Sequence, residues 1–244
     1  INPQAEQIDR ERAIAALGLD KPMLEQYWVF LRGASEGDFG KSFVHSTSAL
    51  KLILEKMPAT LELAFAAMAI AIVLGIPLGL WAGLKPDAFS GRTIMAGSIL
   101  GFSLPTFWVG LMLIMVFSVM LGWLPSNGRG ETVSVLGVPL SFLTVDGLRH
   151  LVMPATNLAL FNVALLIRLT RSGAHEALLQ DYVKFARAKG LSNRRVIGVH
   201  VLRNILIPIV TVIGLQFGAL IAFAIVTETV FAWPGMGKLL IDSI

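Results

Sequence analysis

Five basic side chains, Lys184, Arg187, Lys189, Arg194 and Arg195, fall within twelve positions of the segment DYVKFARAKGLSNRRV at 181–196. Such a cluster has three partners open to it: nucleic-acid phosphates, an anionic lipid surface, or acidic side chains of another protein. Residue types that could do catalysis are poorly placed elsewhere. DFGKS at 38–42 has the ending of a phosphate loop, but that loop needs a glycine where Ser35 stands. The histidines His45, His150, His175 and His200 have no second ligand at i+3 or i+4. GxSxG, HExxH and paired carboxylates within an apolar run are all absent, as is cysteine. The expectation is a chain that is not itself an enzyme and binds neither metal nor cofactor.

The elements that carry these residues are apolar. Hydrophobic residues make up 55% of the 244, charged residues 15%, and the mean hydropathy is +0.72. No Asp, Glu, Lys or Arg occurs in 93–128, 150–167 or 204–227, and 57–84 holds Glu62 alone. Uncharged apolar runs of that length are transmembrane candidates. The expected fold is an all-α polytopic membrane protein with four spans in this chain, at about 58–83, 94–121, 150–170 and 204–227. The first would open at Pro58, which suits a first helical turn. Residues 1–57 read as a water-exposed region with short helices at 4–17 and 22–32, and the tail from Glu228 is amphipathic and too short to span.

Basic residues concentrate in cytoplasmic loops. Residues 168–203 carry eight Lys or Arg against two acids, and 85–92 two against one. The stretches 122–149 and 1–57 carry two against two and seven against eight. Both basic loops share a face if 1–57 lies outside, which implies a further span upstream. The net charge of +4 is therefore explained without nucleic acid. Glycines at helix-packing spacing, Gly75/Gly79/Gly83, Gly97/Gly101 and Gly214/Gly218, would let helices approach closely. Polar residues inside spans are sparse: Ser98, Ser103, Thr106, Thr156, Asn157, Asn162, Thr211 and Gln216. They either bond between helices or line a wet path, for which Ser103, Thr106, Asn157, Asn162, Thr211 and Gln216 are the candidates. Glu62 and Glu228 stand near membrane boundaries, where an acid is tolerated.

The basic segment itself reads as an amphipathic helix over 176–189, with Leu178, Tyr182, Phe185 and Ala186 on one face and Gln180, Lys184 and Arg187 on the other. Gly190 would end it in a left-handed cap, and Ser192 or Asn193 would cap a second helix running into the fourth span. The product is an elbow at the cytoplasmic surface.

The stretch DYVKFARAKGLSNRRVIGVHVLRNILIPIVT resembles the cytoplasmic loop of bacterial ABC-importer permeases of the dipeptide, oligopeptide and nickel branch. Importer permeases carry an EAA…G motif there. Aligned on Gly190, Lys184 and Phe185 stand for Glu and the first Ala, Ala186 matches the second Ala, and Arg203 replaces a common Pro. ALGLDKP, GDFGKS, PATLELA, FSLPTFWVG, LGWLPSNG, RHLVMPA and ETVFAWPGMGKLL continue the likeness in order. The resemblance implies a type I importer bundle with six spans in a full member, 1–57 as a periplasmic region and 58–244 as the permease domain with its coupling loop at 171–203. Within that loop it implies that Tyr182, Ala186, Arg187, Ala188, Lys189, Gly190, Leu191, Arg194 and Arg195 dock on an ATPase subunit. The implied partners are a second permease subunit, two cytoplasmic ATP-binding subunits carrying ATP and Mg, and a periplasmic solute-binding protein. The location would be the bacterial inner membrane and the substrate a di- or oligopeptide, with nickel or glutathione as alternatives.

Two other functions compete. A secondary carrier would place ionisable groups or broken helices at mid-membrane, and these spans lack such mid-membrane charges. A membrane-anchored nucleic-acid binder would need stacking aromatics on the charged face, whereas Tyr182 and Phe185 are expected on the apolar one.

Overall fold

The computed structural model describes residues 21–42, 44 and 47–243; the expected helix over 4–17 and His45 lie outside them. Two compact units separate, one up to Glu55 and one over Lys56–Asp242. In the first, α1 spans Met23–Ser35 and buries no residue. DFGKS forms part of a turn there. Gly37 and Gly40 adopt φ +82° and +81°, and the Gly40 amide donates to the Asp38 carboxylate at 2.9 Å.

The long helices are α2 (Ala49–Leu84), α5 (Val145–Leu179) and α7 (Asn193–Val230), each long and apolar enough to cross a membrane. The first begins at Ala49 rather than Pro58, so Pro58 and Pro77 both lie inside a helix of 36 residues. A proline there removes one N–H and crowds residue i−4, a defect that a long helix packed on neighbours tolerates. Thr144 caps α5, its hydroxyl accepting the Gly147 amide at 2.9 Å.

The expected second span is not one straight helix. It divides into α3 (Phe89–Ser103) and α4 (Thr106–Met120), bent by 105°. Leu104 is extended at ψ 136° and Pro105 follows. A residue before proline is pushed out of the helical region, and proline has no N–H to continue the ladder. The last turns of α4, Ile114–Met120, widen into a π-helix. Between α4 and α5 the polar loop holds a hairpin that periodicity did not anticipate: β1 (Val133–Val135) pairs antiparallel with β2 (Val138–Leu140). Leu136 and Gly137 turn it with φ +51° and +82°, as a tight hairpin requires.

Packing centres on α5. In its most apolar window 61% is buried, against 17% for α7. The Gly75/Gly79/Gly83 stripe of α2 lies directly on α5. A Cβ on Gly79 would stand 2.6 Å from the Ile167 carbonyl and 2.7 Å from Thr170 Cβ, and one on Gly83 would stand 2.8 Å from Ala174 Cβ. Ala59, Leu63, Ala64, Ala67 and Ala71 continue this close seam. Gly97, Gly214 and Gly218 behave differently, since a Cβ on any of them would meet nothing within 4 Å.

Candidate functional site

Three helices enclose a hollow of about 440 Å³. Thr106 of α4, Phe161 and Asn162 of α5, and Gln216, Phe223 and Thr227 of α7 line it, with no ionisable side chain in its wall. Three of the six expected path residues, Thr106, Asn162 and Gln216, thus meet in one place. Asn157 sits fully buried beside it, donating from Nδ2 to Thr227 Oγ1 at 3.1 Å while its Oδ1 has no partner among the described residues. Gly110 lets α4 come close, since a Cβ there would lie 3.4 Å from Asn157 Nδ2. Ser103 and Thr211 stand elsewhere. Each is exposed, and its hydroxyl donates back to its own helix, to Ile99 and Ile207 at 2.8 and 3.2 Å. Both bonds are i−4 back-bonds that need no neighbouring helix.

The outer end of this hollow is fixed by residues that sequence reasoning treated as mere boundary acids. Glu228, beside Thr227, is fully buried. It accepts the Thr60 hydroxyl at 2.5 Å and the Gly237 and Lys238 amides at 2.7 and 3.0 Å. Those amides open α8 (Met236–Asp242), the tail helix. The Trp233 indole donates to the Ala59 carbonyl at 2.9 Å, tying the tail to α2. A Cβ on Gly235 would collide with the Glu228 carboxylate. Two residues along α2 from Thr60, Glu62 accepts Arg129 Nε at 2.9 Å, the Ser141 amide and hydroxyl at 2.7 and 2.8 Å, and the Phe142 amide at 2.7 Å. Buried carboxylates persist when opposite charge and donors satisfy them. The one sequence signal for this knot was an acid inside each of two apolar helix ends.

At the other end, the elbow differs from expectation in two respects. The single amphipathic helix is two: α5 stops at Leu179, Gln180 is extended at ψ 148°, and α6 spans Asp181–Ala188. The break rotates the chain, so the inward face of α6 carries Val183 and Ala186 instead of Tyr182 and Phe185. Tyr182 and Phe185 are 39% and 61% exposed. Ala186 is buried and belongs, with Val183, Val196 and Val201, to the hydrophobic core.

The left-handed cap is present. Gly190 has φ +75°, its amide donates to the Arg187 carbonyl at 2.9 Å, and the Leu191 amide reaches back to Ala186 at 3.3 Å. This pair of bonds is a Schellman motif, and it needs glycine for its dihedral and not for space. Ser192 takes the next cap position with no side-chain bond. From Asn193 the backbone runs through a π-helical turn at Val196–Val201 into α7 without a break. Arg187, Ala188, Lys189, Arg194 and Arg195 face outward, and Leu191 is half-buried. Lys184 pairs with Asp181 at 2.9 Å. That hydrogen bond and charge hold the Asp181 carboxyl below the usual range.

Residues 75–244 match the family model described as binding-protein-dependent transport system inner membrane component. The chain is 44% identical to the di/tripeptide transport system permease protein DppB of Pseudomonas aeruginosa, over 95% of this chain and 73% of that one. It is 41% identical to the dipeptide transport system permease protein DppB of Escherichia coli K12, with the same coverage. To the oligopeptide transport system permease protein AppB of Bacillus subtilis it is 40% identical, over all of this chain and 75% of the relative. Among solved structures, a chain of the inward-facing MetNI methionine ABC transporter superposes with a TM-score of 0.60 at 16% identity, covering 79% of this chain and 80% of that one. At that identity the likeness concerns the fold.

Proposed function

The chain belongs to the family of binding-protein-dependent transport inner membrane components, and on that premise we propose that it forms half the path of an ATP-driven importer of di- and oligopeptides. It is a multi-pass permease of the bacterial inner membrane. In this proposal ATP and Mg are bound by separate subunits. A second permease chain completes the path, and a solute-binding protein delivers substrate to the outer face, where residues 1–57 lie.

The observation that carries the mechanism is the unbroken backbone from Asn193 to Val230. One end of that helix grows out of the elbow, and its middle supplies Gln216 and Phe223 to the hollow. A displacement of α6 is therefore delivered to the wall of the path along one continuous helix. The outward face of the elbow suits a docking partner: exposed Tyr182 and Phe185 provide anchors, and Arg187, Lys189, Arg194 and Arg195 meet acids. The Schellman cap at Gly190 keeps the two arms at one angle. The lining of Thr106, Asn162 and Gln216 between Phe161 and Phe223 fits amide-rich, variable side-chain cargo, and among the described residues no ionisable side chain stands in it to carry a coupling charge. It also lacks the His or carboxylate ligands that would favour nickel.

The test is uptake by the whole transporter in proteoliposomes. Phe185→Ala with Arg187→Ala should lower ATP-dependent peptide uptake and co-purification of the ATPase subunit by roughly tenfold, the loss of a typical interface anchor. Unchanged uptake in that variant would remove the docking assignment. Transport of nickel or glutathione in preference to dipeptide would remove the substrate.

A further inference from the structure

Apart from the path and the elbow, α2, α3 and α5 enclose two stacked hollows. One, of about 220 Å³, is apolar and lies among Leu78, Gly97, Gly101, Leu160, Val163 and Ile167. The glycines leave it open, because a Cβ on Gly97 would meet nothing within 4 Å and one on Gly101 only the Leu160 carbonyl at 4.0 Å. The other, of about 380 Å³, lies among Gly83, Pro86, Met95, Arg168, Arg171 and His175. Ile94 and Met95 are consecutive on α3, as are Ile167 and Arg168 on α5, so the apolar groove leads into the basic pocket.

Arg168 and Arg171 are half-buried, and neither has a carboxylate in ion-pair range among the described residues. Arg168 lies over the Phe102 ring at 4.5 Å. Glu176, next in sequence to His175, accepts from the hydroxyl of Ser172, a lining residue, at 3.3 Å. Depth also matters. At 1.5 Å per residue, roughly 35 Å of helix separates Val145 from Arg168, about one hydrocarbon thickness plus its edge. At the same level the Trp81 indole donates to Ser90 at 3.1 Å and Lys85 lies over the Trp81 ring at 4.3 Å, the placement of an interfacial aromatic.

An apolar groove alone would accept any greasy segment, and a basic pocket alone any anion. Joined end to end at the cytoplasmic headgroup level, they match an amphiphile with a negative head. We propose that these hollows bind an anionic phospholipid, its phosphate on Arg168 and Arg171 with His175 at the rim, and one acyl chain along Gly97 and Gly101. Basic pockets between helix ends on the cytoplasmic side are suited to such headgroups. Charge complementarity at the basic end of the groove selects lipid over a neutral helix as the occupant.

The test uses the whole transporter and native mass spectrometry after exposure to phosphatidylglycerol or phosphatidylcholine. The wild type should retain phosphatidylglycerol about tenfold more than phosphatidylcholine, the discrimination of one charge-assisted contact of ~1.4 kcal/mol. Arg168→Gln with Arg171→Gln should abolish that preference, Arg168→Lys with Arg171→Lys should keep it, and Gly97→Leu should lower retention of both lipids. Equal retention of the two lipids by the wild type overturns the proposal without recourse to any variant. So does full displacement of the retained phosphatidylglycerol by inorganic phosphate, which would mark an anion site only. Cross-linking from Gly97→Cys to another protein segment would show the groove covered by protein, and this too overturns it.

Discussion

Glu62 and Asp181 are acids close to opposite surfaces of the same bundle, each paired with a cation, and they could hardly be treated more differently. The Glu62–Arg129 side chains are 2% and 9% exposed, and three further donors from Ser141 and Phe142 complete the carboxylate. The Asp181–Lys184 pair is 98% and 66% exposed and spans three residues of one helix. The outer knot joins α2, the hairpin loop and, through Thr60 and Glu228, the tail. Among the described residues the inner elbow uses no charge for tertiary structure; its shape comes from a backbone cap and two small apolar side chains, and its charges are exposed. The outer knot and the elbow are built by opposite uses of the same residue types.

The sharpest way to break this contrast is to remove one partner of the buried pair. Arg129→Met should destabilise the protein by about 3–5 kcal/mol, the loss typical of an orphaned buried charge. Thermal unfolding in detergent reads it, and a loss under about 1 kcal/mol, the size of an exposed pair, would make the knot ornamental. Next in size, Gly235→Ala drives a methyl into the Glu228 carboxylate, and Gly79→Ala drives one into α5. Each should cost about 1–3 kcal/mol, as overpacking does, whereas Gly214→Ala, open in this chain, should not destabilise the isolated protein and gains up to about 1 kcal/mol of helix propensity. Smaller again, Gly190→Ala strains a left-handed residue by roughly 1–2 kcal/mol with no clash. It should reduce coupled transport more than it reduces stability, as measured by uptake alongside unfolding.

The smallest effect belongs to Asp181. Its pKa is depressed in the folded chain by Lys184, so its contribution is present above the ordinary carboxylate range and is lost as pH falls through the lowered value. Between about pH 6 and 8 the stability of the elbow should therefore not change through this group. Lys184→Met should leave the unfolding temperature where it was, as for other exposed pairs.

Much of the frame was legible beforehand. The apolar runs located the spans because the cost of exposing backbone and charge to lipid is a local property of the chain. Gly75, Gly79 and Gly83 announced a helix contact, and Gly190 announced its cap, because both depend on the absence of a side chain at one position. Pro105 stands in the second apolar run, but its effect does not follow from its presence: a proline within a span can kink or sever it, and here the extended Leu104 and the 105° bend separate α3 from α4. The inward face of α6 was misjudged because a break at Gln180 resets helical phase. Of the six polar candidates for the path, Ser103 and Thr211 lie on helix surfaces, and spacing alone could not tell them from Thr106.

By itself the amino-acid sequence determined that this chain lives in a membrane, which end of it carries the positive charge, and where the backbone must turn at glycine. Hydrophobic transfer, charge asymmetry and dihedral preference all act over a few residues. Which polar groups meet was decided only by the tertiary structure. Glu62 finds Arg129 across 67 positions and Thr60 finds Glu228 across 168. Such pairings depend on how α2, α5 and α7 cross, and a crossing is set by the summed fit of whole helix faces, to which no short stretch of sequence holds the key.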